Sequence, residues 1–216
     1  MEWVVENEAW IGIVLQAVMA VIWIAYLQVF VLGYIRQRRP LVLINRGAGV
    51  GTGAQCLVCN MGGEPIYLTS VIADLRIGDE TFRAFVTDRE EVDKTTLSRP
   101  SEGTNQGPIG SGEFVDIGSF DQILERALRH VGRDDEIDRV DRMDLTVLCG
   151  SGHSMLLVAG RRRFIVGWAD GDRRFVPNMA LTEQITRRRD RRRLREVLEK
   201  SLREEAGNLK TASDPR

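Results

Sequence analysis

Cys56 and Cys59 form a Cys-x-x-Cys pair, the first place along the chain where metal or redox chemistry has candidate ligands. No second pair follows, and the two histidines, His130 and His153, lie far off in sequence. Gln55-Cys-Leu-Val-Cys59 reads as a strand, where side chains three apart point to opposite faces, so the thiols cannot easily share one ion. A thioredoxin-type site would need the pair to open a helix after a strand. Both thiols, with Cys149, are expected as small buried hydrophobes and no metal is assigned to them. Gly47-Ala-Gly-Val-Gly-Thr-Gly53 suggests a phosphate cradle, yet Thr52 or Ala54 stands where a dinucleotide fingerprint has its third glycine. The Gly-Lys-Ser/Thr of a P-loop is absent as well, so the glycines read as a flexible or bulged lead-in to a strand and no cofactor is expected. His153, in Gly150-Ser-Gly-His-Ser154, falls on an expected hairpin turn beside two serines. A nucleophile and its base also need a placed acid, and no elbow motif surrounds these serines, so no catalytic residue is assigned and the chain is expected not to be an enzyme. A membrane-bound hydrolase using His153 is the third-ranked alternative. His130 falls near the end of an amphipathic segment, where a cation complements a helix dipole.

The arginine run has a stronger functional case. Arg187, Arg188, Arg189, Arg191, Arg192, Arg193 and Arg195 crowd into nine residues. Such a cluster makes a potential that draws phosphates, of lipid headgroups or of nucleic acid. No aromatic residue is interleaved and no nucleic-acid module surrounds it, which argues against nucleic acid as a partner. From Arg187 to Arg203 nine bases face three acids, a local charge of +6, whereas Asp88 to Asp141 holds 14 acids and 7 bases, or −7. An acidic protein, or those acidic loops themselves, therefore competes with anionic lipid as the partner.

Charge is just as uneven at the other end. The 216 residues carry 30 Lys+Arg and 31 Asp+Glu, but residues 1–35 contain no base and only Glu2, Glu6 and Glu8. That split excludes a plain soluble protein, a wholly disordered chain and a disulfide-built mini-protein. Residues 10–35 have no charged side chain, and at about 1.5 Å each they make roughly 39 Å of helix, enough to cross a hydrocarbon core of about 30 Å. Trp10 and Tyr34 suit the two interfacial belts. Arg36, Arg38 and Arg39 follow the stretch and acids precede it, so the positive-inside rule puts residues 1–9 outside and 36–216 in the cytoplasm. A cleaved signal is disfavoured by the acidic n-region, the length and the lack of a small-residue cleavage site. Three free cysteines suit a reducing compartment. Gln16 and Gln28 lie about 120° apart on a helix, and either would hydrogen-bond across a helix pair in a homo-oligomer.

Beyond Pro40 the apolar pattern becomes extended. Runs at 41–44, 55–59, 65–77, 81–87, 113–117, 144–149, 154–168 and 174–176 are punctuated by Gly-rich turns, and the 154–168 run is expected to divide at Gly160-Arg161 into two hairpin strands. Seven or eight short strands predict a mainly β domain over 36–178, an Ig-like antiparallel β-sandwich. One amphipathic helix, 120–131, is framed by a Ser119/Gln122 capping box and Gly132, and docks on the sandwich. Residues 88–111 and 132–142 are expected as loops, 179–207 as the basic C-terminal helix, and 208–216 as a disordered tail.

The anchor followed by RQRRP (36–40), then CLVCNMGGEPIY (56–67), GEFVDIGSF (112–120) and RRRDRRRLR (187–195) resembles a group of uncharacterised bacterial proteins with one N-terminal span and a cytoplasmic β-rich domain. The resemblance implies residence in a bacterial inner membrane and carries no activity. The function expected is a single-pass interaction or scaffolding module held at the lipid bilayer, its arginine helix docking on anionic lipid or acidic protein. The alternative is an oligomerising sensor or effector subunit that binds a ligand through the sandwich.

Overall fold

The computed structural model describes residues 8–37, 40–47, 53–88, 103–151 and 157–212. The chain divides into two units, Met1–Arg39 and Pro40–Arg216.

The first unit holds α1, Glu8–Gln37. Its Ala9–Ile35 stretch has 27 residues with no charge, and none of its most apolar window is buried. Trp10, Leu15, Val21, Ile24, Val29 and Leu32 are exposed on every side of the helix. A helix apolar all round has no stable existence facing water, and this one is long and apolar enough to span a bilayer. Arg38 and Arg39 lie outside the described residues.

The second unit is mainly β and antiparallel. A three-stranded sheet has the order β1 (Val42–Arg46), β2 (Gln55–Asn60), β6 (Phe114–Ser119). A seven-stranded sheet runs β10 (Glu183–Gln184), β8 (Leu157–Ala169), β7 (Val140–Ser151), β3 (Ile66–Ile77), β4 (Glu80–Phe85), with β5 (Gly107–Ile109) also on β3 and β9 (Asp172–Pro177) also on β8. Alternation decides what each face does. In β7, Met143, Leu145, Val147 and Cys149 point into the core, where Val42, Ile44, Cys56 and Val58 of the smaller sheet join them. Helix α2, Phe120–Val131, closes that core with Phe120, Ile123, Leu124, Ala127 and Leu128. Phe120 stacks on Phe175 at 5.2 Å and meets Phe164 at 4.6 Å, joining the helix to the far edge of the larger sheet. Both halves of its capping box form, and Gly132 ends it in the left-handed conformation at φ 69°.

Several local expectations change. β8 is one strand of 13 residues that passes straight through Gly160 and Arg161. Gly160 is needed for clearance: a Cβ there would lie 3.0 Å from the Thr182 methyl and 3.2 Å from the Val42 carbonyl oxygen. The turn sits later, at Asp170-Gly171, both with positive φ. Three strands reach 12 or 13 residues, so they are not uniformly short. The expected loop 132–142 holds a 3-10 segment, Asp134–Arg139, and the start of β7. The described part of 88–111 holds a Thr104 bridge to Asp88 and β5. Helix α3 spans Arg188–Ala212 and runs through Gly207. Residues 179–187 are not part of it, because Thr182 and Gln184 bond to the backbone of Ile44 and Val42 and hold this segment extended.

Candidate anion-binding face

The outer face of the seven-stranded sheet and α3 each carry a group of arginines at the surface. One row across β4, β3, β7 and β8 reads Arg83, Asp74, Asp144, Arg163. Arg83 grips Asp74 through two bonds of 2.6 and 3.0 Å, Arg163 reaches Asp144 at 2.8 Å, and Arg76 donates to Asp141 at 2.7 Å. These hydrogen bonds to carboxylates hold all three guanidinium pKa values above their ordinary level. Cross-strand pairing thus neutralises this half of the face.

The other half is apolar and lies under α3. Ile72, Leu148 and Ala159 form a second small cluster with Leu194, flanked by Phe85, Leu157, Ile185 and Val197. Leu181, expected in the same helical stripe, precedes the helix and is exposed. Docking through Leu194 and Val197 fixes which arginines can face outward. Arg187, Arg188, Arg189, Arg192, Arg193 and Arg195 are exposed, and Arg191 is half-buried. The Arg192–Glu196 pair at 3.0 Å is exposed on both sides, so it contributes little and leaves the excess positive charge of the helix in place.

Between α3 and the sheet runs a groove of about 890 Å³, lined by Arg161, Arg187, Arg193, Glu183, Gln184 and Thr186 among others. Arg161 comes from the sheet, not from the helix. Arg161-Arg162-Arg163 looks like one charged cluster in sequence, but the strand sends Arg161 and Arg163 outward and Arg162 into the core. Arg162 donates to the carbonyls of Ile44, Met179 and Ala180 and to Asn45 Oδ1, tying the two sheets together. Burial pushes its pKa down, and a guanidinium still keeps its proton at neutral pH. Arg126 is likewise interior and donates to the carbonyls of Val86, Asp88 and Ile117. These internal struts were not anticipated; their only sequence signal is an arginine at a position whose i±2 neighbours are core residues.

Trp10 and Tyr34 are exposed at the two ends of the apolar stretch, and Arg36 lies in the last turn of α1. Cys56 points inward and Cys59 outward along β2, as a strand requires. Burial pushes Cys56 up, with Asp116 adding to it; burial also raises Cys59, and Cys149 is pushed up to about 12. All three shifts disfavour the thiolate, the form that acts as nucleophile and metal ligand. Among the described residues no three metal-ligating side chains come together. Gly47 closes β1 by donating to the Gln55 carbonyl, so the glycine-rich stretch is the connection of a β1–β2 hairpin. His153 and Ser154 lie outside the described residues. Comparison with protein-family models, with curated proteins and with solved structures gives no match for this chain.

Proposed function

We propose that the protein is a single-pass membrane-anchored interaction module: α1 spans the bilayer, and the β domain faces the cytoplasm with α3 docking on anionic lipid. The observation that carries this reading is the two-sided character of α3. Leu194 and Val197 attach it to the sheet, while Arg188, Arg189 and Arg195 stay exposed and able to meet a surface. A helix docked by its apolar stripe is held rigidly enough to present charge in a fixed plane. Near an anionic leaflet each such cation adds about 1 kcal/mol, and a tether supplies the proximity at no further cost in freedom. The arginines after residue 35 orient the span with its N-terminus outside, in a bacterial inner membrane by resemblance. The two antiparallel sheets make an Ig-like assignment reasonable at the level of architecture, although three strands against seven is a wider division than the four and three of an Ig domain. An acidic protein partner uses the same surface and is the competing occupant.

The test is association of the full chain, in neutral nanodiscs, with vesicles containing an anionic phospholipid. Changing Arg187, Arg188, Arg189, Arg191, Arg192 and Arg193 together to Gln is expected to abolish a salt-sensitive association. Equal association before and after the change would remove the lipid reading.

A further inference from the structure

We propose that the groove between α3 and the outer face of the seven-stranded sheet is a binding site for a single phosphate group, with Arg161 at its floor. The proposal rests on α3 being an anion-seeking element and narrows it to a defined site.

Arg161 differs from its neighbours on this face. Arg83, Arg163, Arg76 and Arg142 each have a carboxylate within 3.4 Å or less. Arg161 is half-buried, and its Nε donates to the Thr146 hydroxyl at 3.2 Å. That bond orients the guanidinium and leaves both terminal nitrogens without an ion-pair partner among the described residues. Glu183 is its register partner on β10, yet no ion pair within 4.0 Å forms between them. Gln184, beside it, is already held by both polar atoms of the Val42 backbone. The floor is thus a fixed, uncompensated cation on a rigid strand.

The wall supplies two more cations, Arg187 from the extended segment just ahead of α3 and Arg193 from its second turn. Arg161 of β8, Arg187 ahead of α3 and Arg193 within it line one concavity, together with Lys200 and with Arg83, which Asp74 holds. A planar fork donates two parallel N–H bonds to a tetrahedral oxyanion, so the arrangement favours phosphate over a diffuse negative surface. A volume of about 890 Å³ takes a headgroup-sized molecule and is too concave for a flat bilayer to fill. Glu183, Asp190 and Glu196 also line the groove and oppose its cations, so the hold on an anion depends on the arginine contacts. The source is either a lipid headgroup lifted into the groove or a soluble phosphate ester.

The experiment uses the full chain in neutral nanodiscs, titrated calorimetrically with glycerol 1-phosphate, and in parallel nanodiscs containing an anionic phospholipid, read by phosphorus NMR. Saturable binding of glycerol phosphate identifies the soluble source; a shifted headgroup signal without it identifies the lipid source. In either arm Arg161→Gln is expected to weaken binding about tenfold or more, the effect of losing a charge-assisted contact. Glu183→Gln, which removes a neighbouring like charge for the phosphate, is expected to tighten it, and an unchanged melting temperature for both variants excludes misfolding. Arg188→Gln with Arg195→Gln, on the outward side of the helix, is expected to lower vesicle association and leave the groove's binding intact. No saturable binding in either arm, or binding indifferent to Arg161, would overturn the groove while leaving the lipid-docking helix standing. Loss of groove binding in the outward pair would also overturn it, and failure of the helix itself would show as vesicle association unaffected by any arginine.

Discussion

Arg126, Arg162 and Arg173 carry charge into the interior, and in each the terminal guanidinium nitrogens donate to carbonyl or carboxylate oxygens. Arg173 pairs with Asp121 and Asp138 at 2.7 Å each and lies over the Trp168 ring at 5.1 Å. Asp121 is buried, so removing its partner leaves a lone carboxylate in the core edge. Arg173→Ala is expected to cost about 3–5 kcal/mol in urea denaturation followed in detergent, and Arg173→Lys to recover only part, since an ammonium cannot span both carboxylates. A cost below ~1 kcal/mol would show that Asp121 needs no counter-charge. The thiols predict a pH limit. Cys149 holds its proton to about 12 in the folded chain, whereas its ordinary value is 9.0. Between those values the unfolded chain binds fewer protons than the folded one, so stability falls as pH rises, by up to about 1.4 kcal/mol per pH unit for this group. Below pH 9 the effect vanishes. Cys149→Ala should flatten the alkaline limb of stability against pH; an unchanged limb would place its cause elsewhere.

At the scale of the element, what could be foreseen followed the range of the interactions responsible. α2 was legible because Ser119, Gln122 and Gly132 act within one turn of the helix ends they define. Ser119→Ala is expected to cost about 1 kcal/mol, read as a lowered melting temperature with no change in fold. β8 was misjudged because Gly160 answers to Val42 and Thr182, more than a hundred and about twenty residues away, which no local pattern contains. Gly160→Val should therefore push β1 off β8 and destabilise the domain by about 1–3 kcal/mol, whereas a glycine serving a turn would resist any side chain through its φ instead. The start of α3 has the same origin: Leu181 and Ile185 lie four apart, a helical spacing, but Thr182 and Gln184 bind strand β1 and delay the helix to Arg188. Of the candidate anion-binding face, the arginines on α3 were visible in the sequence, while Arg161 was not, because its difference from Arg163 lies in the residue opposite on β7, Thr146 against Asp144.

At the scale of the whole molecule, the polypeptide separates into a helix with no charge over 27 residues and a β domain that holds its own core. The β domain buries its own apolar core, and α1 is long and apolar enough to span a bilayer. In the proposed reading the acids before α1 and the arginines after it set direction, and direction decides whether α3 meets a cytoplasmic leaflet. The most direct measurement is protease digestion of spheroplasts carrying the chain with a C-terminal tag, compared with the same spheroplasts after permeabilisation. A membrane-anchored cytoplasmic domain predicts that the tagged 36–216 segment survives intact until the membrane is opened and is then cut. Digestion of that segment from sealed spheroplasts would contradict the orientation and, with it, the docking of the arginine helix on the inner leaflet.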